Sequence, residues 1–308
     1  MKGKSSGLLV IIIMLLFALA FSKNVPIATV PVQTAVDMNT TTVPFSASSG
    51  DDSTSIHCIN VGQGDSTLIV SGGSAVLIDG GPQSAGSTVV EYLTRQGIAK
   101  LDAVIASHPH EDHIGGLVAV LQAFQVDAVY MSDEGTDTEA YRKLLEAITA
   151  ENLVPQFPNI GDTISFGNTG AVLTNLAPGP ESSKIFDADN PDGWSLVFRL
   201  DAADCSALFP GDATFGIEQF MLQQNESQLN CDILKVAQHG AKGSSCQAFI
   251  DAVSPAYAVI SYGEGSTEQA PDSKIYTYLE PYQTTISQTA TDGTIVYQLH
   301  NGIVHLVS

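Results

Sequence analysis

Residues 107–116 read SHPHEDHIGG. Three of the chain's seven histidines and two acids fall within six positions here. The stretch sits between DAVIAS, an apolar run that predicts a strand, and GGLVAVLQAF, whose spacing predicts a helix. A loop at the carboxyl end of a strand is exposed and held by rigid elements on both sides. His108 and His110, two apart, can point to one side of an extended loop, and Asp112 with His113 can serve a second point close by. Imidazoles and carboxylates are the ligands that suit zinc, manganese or iron. Two such ions about 3.5–4 Å apart could clamp a substrate and activate a hydroxide for hydrolysis. A single loop histidine usually only makes a hydrogen bond. Three at this spacing with an aspartate point to a metal site.

Outward from this loop, short apolar runs alternate with turns and a few helical stretches. IHCINVG and DSTLIVSGGSAVLIDGG predict three strands, the last two joined by an SGGS turn. STVVEYLTRQGI and TEAYRKLLEAITAEN predict helices flanking the histidine loop and the strand AVYMS. A second group of strands follows at DTISFG, AVLTNLAP, SLVFRL, SALFPGD, DILKVAQ and YAVISYG. Helices are expected over FGIEQFMLQQ, CQAFIDAVS and KIYTYLEPY, and the C-terminus (TTISQ, GTIVYQLH, GIVHLVS) reads as strand. Two strand groups, each accompanied by helices, imply an α+β fold with two sheets face to face and helices outside, a four-layer αββα sandwich. Residues 55–308 are expected to form this one domain.

HPHEDH matches the HxHxDH motif of the metallo-β-lactamase fold hydrolases. INVGQGDSTLIV, VLIDGGP, SLVFRL, FPGDAT, LKVAQHGAKGSS and TATDGTIVY follow in the order found in the extracellular metallo-β-lactamase-like domain of the ComEC competence proteins, which residues 55–300 resemble. The resemblance implies one or two divalent ions, zinc or manganese. His108 and His110 would bind the first ion, and Asp112 and His113 the second. Asp212 would bridge both, and His239 would complete the second site. Asp79 would orient a metal-bound histidine, unless it serves only as a turn residue. Asp65 would fix a turn beside the site. Lys235 could face a phosphate, and Ser244 and Ser245 could present hydroxyls or N–H groups to an oxyanion or cap the next helix. Trp194 either walls the site or packs into the core. The implied activity is hydrolysis of a phosphodiester, in nucleic acid or a cell-wall component, by a metal-activated hydroxide with Asp212 and Asp112 as catalytic groups.

The chain also departs from the pattern. Gln238 precedes His239 where two histidines are usual, Ala270-Pro271 replaces a histidine-proline pair, and Asn60 replaces an aspartate. No histidine lies between residues 114 and 238 to serve as third ligand of the first ion, leaving Asn190, Asp192 or Ser195 for that corner. These changes raise the alternative of a catalytically weak binding protein of the same fold. Resemblance in outline to the exported choline-phosphate esterase of cell-wall teichoic acid implies a further alternative, a cell-wall phosphocholine-type esterase.

Composition bounds the rest. Acids outnumber bases 33 to 12, for a formal charge of -21, which repels polyanions at long range and argues against tight non-specific binding to nucleic acid. Residues 1–22 carry two lysines and an apolar run from Leu8 to Phe21, expected to act as a signal peptide or a membrane anchor. Export from the cytoplasm follows from that reading. Residues 23–54, rich in Thr, Ser, Val and Pro, read as a flexible linker. Cys58, Cys205, Cys231 and Cys246 could form disulfides or serve as small buried apolar residues. His57, His300 and His305 fall in strand-patterned segments and are expected to be structural.

Overall fold

The computed structural model describes residues 53–179, 190–224, 226–264 and 270–308. The apolar N-terminal run, and all but the last residues of the linker, lie outside them. Among the described residues no helix is long and apolar enough to cross a membrane.

Among the described residues there are seventeen strands; all but three two-residue ones follow the apolar runs seen in the sequence. The first half contributes β1 (Thr54–Cys58), β2 (Thr67–Ser71), β3 (Ser74–Ile78), β4 (Lys100–Leu101), β5 (Ala103–Ala106), β6 (Gln125–Val126), β7 (Val129–Met131) and β8 (Pro155–Gln156). The second half contributes β9 (Thr163–Phe166), β10 (Ala171–Ala177), β11 (Val197–Ala202), β12 (Cys205–Phe209), β13 (Ile233–Lys235), β14 (Tyr257–Ile260), β15 (Thr285–Gln288), β16 (Ile295–His300) and β17 (Ile303–Leu306). One sheet runs β17-β16-β1-β2-β3-β5-β7-β8, and the other β15-β14-β13-β12-β11-β10-β9; β4 and β6 form a small separate ribbon. The first sheet is antiparallel from β17 to β3 and parallel from β3 to β8. The second is antiparallel from β9 to β12 and parallel from β12 to β15.

The sheets meet through one apolar layer. Ile56, Ile69, Val76 and Ile105 from the first face Leu173, Phe198, Leu200 and Val259 from the second, with Tyr297 fully buried among them. Strand side chains alternate between faces, so Leu68, Leu77 and Val104 point away from this layer, yet they too are fully buried. The apolar sides of the helices Gly86–Arg95, Leu117–Ala123 and Glu139–Ala150 cover them. On the other side, Leu208, Leu234 and Val236 pack against Ile217, Met221, Phe249, Ile250 and Ile275 of three further helices. The four-layer αββα arrangement is as expected. All four cysteines are free thiols: Cys58, Cys205 and Cys231 are buried, and Cys246 is half-buried. His57 sits between the Tyr92 hydroxyl at 2.7 Å and the Ser55 hydroxyl at 2.8 Å, and burial pushes its pKa down to about 4. It is structural.

The histidine loop leaves the carboxyl end of β5 and is seated against the loop after β3. Gly80 N–H donates to the His113 carbonyl at 2.7 Å, and Gly116 N–H to the Gly81 carbonyl at 2.8 Å. The two backbones approach so closely that a Cβ on Gly116 would lie 2.0 Å from the Gly80 oxygen. Glycine is required there for space. Gly116→Ala is therefore expected to destabilise the fold by about 3 kcal/mol, the upper end for overpacking, read as a lower urea midpoint; an unchanged midpoint would mean the loops are not locked in this way.

Candidate metal centre

The carboxyl ends of β3, β5, β12 and β13 converge, the place where open α/β sheets bind ligands. β3 delivers Asp79, β5 the histidine loop, β12 Asp212 and β13 His239. Residues Glu111–Ile114, expected as loop, form one helical turn. Successive helical residues point about 100° apart, so this turn sends His113 into the core and leaves Asp112 at its edge: the side chains are 0% and 33% exposed.

Hydrogen bonds on the far side of each ring fix which nitrogen faces the centre. His113 Nδ1 lies 2.8 Å from Asp79 Oδ2, and His239 Nδ1 lies 3.0 Å from the Ser261 carbonyl. Oxygens of both kinds only accept, so each Nδ1 carries the proton and each Nε2 presents its lone pair inward. The Ser107 hydroxyl donates to Asp79 Oδ2 at 2.7 Å and therefore accepts from His108 Nδ1 at 3.1 Å. His108 Nε2 is thus turned inward as well.

Around the centre, Asp212 Oδ1 lies 3.2 Å from His113 Nε2, and its Oδ2 lies 3.5 Å from His239 Nε2 and 3.9 Å from His108 Nε2. Asp112 Oδ2 is 3.3 Å from His239 Nε2. His108 Nε2 lies 3.0 Å from His110 Nδ1, and Asp192 Oδ1 lies 2.8 Å from His110 Nδ1. His113 Nε2, His239 Nε2, Asp212 Oδ1 and Asp192 Oδ1 are all buried without a hydrogen-bond partner. Buried polar atoms are ordinarily paired. These orphans are all nitrogen or carboxylate oxygen, three of them grouped at His113, His239 and Asp212 and the fourth on Asp192 beside His108 and His110, and they fit bound cations.

Two ligand groups are available among the described residues: His108, His110 and Asp192, and Asp65, His113, Asp212 and His239. Asp65 is the weaker member of the second. Its Oδ2 approaches the Nδ1 sides of His113 and His239, at 3.9 and 3.8 Å, where both nitrogens already hold protons. It is also paired with the Lys235 ammonium. Asp112, on the Nε2 side, is better placed to be a ligand.

The electrostatics agree. Burial, aided by neighbouring His113, pushes His108 well below the ordinary imidazole value, leaving it neutral and ready to coordinate. Burial opposes charge on His113 and His239, but Asp212 with Asp79, and Asp212 with Asp65, outweigh it and raise both. These carboxylates draw positive charge to the centre, and a metal ion supplies it in place of protons.

The structure corrects three expectations. Lys235 does not face a substrate; it is 3% exposed and bound to Asp65. Burial works against its charge, while Asp65 and Asp212 hold the ammonium charged. Ser244 donates its hydroxyl to the Ala237 and Ala241 carbonyls, and the Ser245 hydroxyl accepts from Ala237 N–H, so both pin the loop around His239 instead of serving an oxyanion. Neither caps the following helix, whose N-cap is Cys246. Asp79 accepts from His113 Nδ1, and Trp194 is buried. Of the three residues available for the empty corner, Asp192 reaches the histidines; Ser195 instead accepts from Asp212 N–H at 3.1 Å.

Ser107, Ser261 and Glu218 carried no expectation. Glu218, fully buried on the helix Phe215–Gln224, accepts from the N–H groups of Ser245 and Cys246 and clamps the loop that carries His239. The sequence signal for it was slight: an acid next to Ile217 and three before Met221, the residues this helix buries.

A family model described as the metallo-beta-lactamase superfamily matches residues 59–264, more than half of the chain. The chain belongs to the metallo-β-lactamase superfamily. Within it, the chain is similar to ComE operon protein 3 of Bacillus subtilis, at 28% identity over 267 residues, covering 80% of this chain and 33% of that protein. It is also similar to Recombination protein 2 of Haemophilus influenzae, at 28% identity over 245 residues, covering 78% and 28%. The chain spans about a third or less of these curated relatives. The metallo-beta-lactamase fold protein YhfI of Bacillus subtilis superposes with a TM-score of 0.52 at 15% identity, covering 80% of this chain and 100% of that one. The superfamily resemblance seen in HPHEDH and the later motifs thus holds, and so does the similarity to competence proteins, among them Competence protein ComA of Neisseria gonorrhoeae at 26% identity over 244 residues, covering 79% of this chain and 32% of that protein.

Burial pushes the Glu218 pKa up to about 7. An acid whose folded value is raised stabilises the fold below its unfolded value and loses that contribution as pH rises through the folded one. In chelator, the wild type is therefore expected to lose up to roughly 3 kcal/mol between about pH 4.5 and pH 7 that Glu218→Gln does not lose. Parallel melting-pH slopes for the two proteins would contradict this.

Proposed function

We infer that the chain is a metal-dependent hydrolase that cleaves phosphodiesters outside the cytoplasm. The observation that carries the reading is the convergence of buried, partnerless nitrogen and carboxylate donors. His108, His110 and Asp192 would hold one ion, and Asp112, His113 and His239 the other, with Asp212 between them. Bound divalent ions supply Lewis-acid polarisation of a phosphoryl oxygen and a water made acidic enough to attack at neutral pH.

The chain's own residues do the rest. His108 and His113 are sealed from solvent, whereas the side chains of His110 and Asp112 are 41% and 33% exposed, so substrate enters over the latter pair. Burial favours the neutral form of Asp112, but the close approach of His239 and the positive charge that His113 and His239 can carry hold its carboxyl far below the usual range. Asp112 is a carboxylate at neutral pH with one edge toward solvent. It is the group placed to take a proton from the attacking water and pass it out.

Similarity to proteins named for competence and recombination supports a phosphodiester over other esters. The charge of -21, together with a Lys235 already neutralised by Asp65, favours a small or cell-wall diester over a long DNA strand held in a basic groove. Export rests on the apolar run Leu8 to Phe21, as signal peptide or anchor.

With Mn²⁺ or Zn²⁺, the purified chain is expected to hydrolyse bis(p-nitrophenyl) phosphate, and His110→Ala to lower turnover at least about 1000-fold, the scale of losing one key electrostatic group. Metal binding by the wild type without turnover would instead identify a binding protein of the same fold.

A further inference from the structure

Two departures from the superfamily pattern meet in space. The first ion lacks a third histidine from residues 114–238, and Gln238 stands where a histidine is usual. Gln238 Nε2 donates to Asp192 Oδ2 at 2.7 Å. The other oxygen, Asp192 Oδ1, lies 2.8 Å from His110 Nδ1 and 3.7 Å from His108 Nε2. It is buried and makes no aligned hydrogen bond.

Both residues are held for this contact. Asp192 sits in the turn Pro191–Trp194, where its N–H donates to Asn190 Oδ1 at 3.1 Å and its carbonyl accepts from Ser195 N–H at 3.1 Å. Proline fixes the backbone at the start of that turn. Gln238 occupies the left-handed region with φ 48°, a conformation non-glycine residues keep only where their surroundings impose it. Its amide N–H is anchored to the Gly211 carbonyl at 3.3 Å, beside Asp212.

We propose that Asp192 and Gln238 are one compensating pair: Asp192 Oδ1 is the third ligand of the first ion in place of an imidazole, and Gln238 holds Oδ2 so that Oδ1 stays aimed at it. The inference rests on the metal-dependent reading of the site. It turns two apparent defects into a designed feature. The first ion then sees two imidazoles and a carboxylate, a set that, relative to three imidazoles, shifts preference from zinc toward manganese or iron(II). Asp192 adds negative charge to that of Asp112 and Asp212 around two dications. Gln238 acts through Asp192 and is a positioning residue.

Mn²⁺ titration followed by native mass spectrometry and electron paramagnetic resonance tests this without turnover. The wild type is expected to take up two Mn²⁺. Asp192→Asn, nearly isosteric, is expected to bind the second Mn²⁺ at least about 100-fold more weakly, and Gln238→Leu about 10–100-fold more weakly, as for lost supporting contacts. In Asp192→Asn the Gln238→Leu change should add little, because the pair acts as one unit. Asp192→His should keep two ions but shift Mn²⁺/Zn²⁺ competition at least about 10-fold toward zinc. Wild-type Mn²⁺ affinity in both Asp192→Asn and Gln238→Leu would overturn the pair while leaving the metal reading intact. A wild type that takes up no Mn²⁺ or Zn²⁺ would remove the metal reading and this inference together.

Discussion

The site turns on the buried carboxylate of Asp79. It receives the Ser107 N–H and hydroxyl at 2.8 and 2.7 Å and the His113 imidazole at 2.8 Å. Burial pushes its pKa up, and these donors pull it back. Through the Ser107 hydroxyl it also sets the orientation of His108. One acid thus fixes the inward nitrogen of two histidines on different sides of the centre. Asp79 lies in the left-handed region, φ 58°, which aspartate tolerates better than most residues. The strain falls where β3 must end abruptly beneath the histidine loop. Lost orientation there would reach both ligand groups at once.

A second charge arrangement keeps the interior balanced. Asp65 and Lys235 form a buried pair directly behind the histidines, and removing either would leave the other uncompensated, a costly state. Lys235 thereby offsets an acid in a region already dense with carboxylates. Its place on β13, two strands from the sheet edge, makes that role structural.

Much of this was legible in the sequence because it is local or periodic. Alternating apolar runs gave the strands, and HPHEDH brought four donors within six residues. What could not be read depends on distant segments meeting. Asp192 and Gln238 are 46 residues apart and meet only when β11 and β13 are placed. The role of Asp65 became clear only with its partner Lys235, 170 residues away. The Ser107 bond to Asp79 needs β3 and β5 side by side. The cysteines were ambiguous because burial and pairing use the same residue type; the fold buries three of them singly. The helical turn Glu111–Ile114 was missed because it is too short to show a period.

Crystals of the chain grown with Mn²⁺ and measured across the manganese absorption edge test the central claim most directly. Two anomalous peaks about 3.5–4 Å apart are expected, one against His108, His110 and Asp192 and one against Asp112, His113 and His239, with Asp212 between. Peaks elsewhere, or none at this centre, would contradict the account.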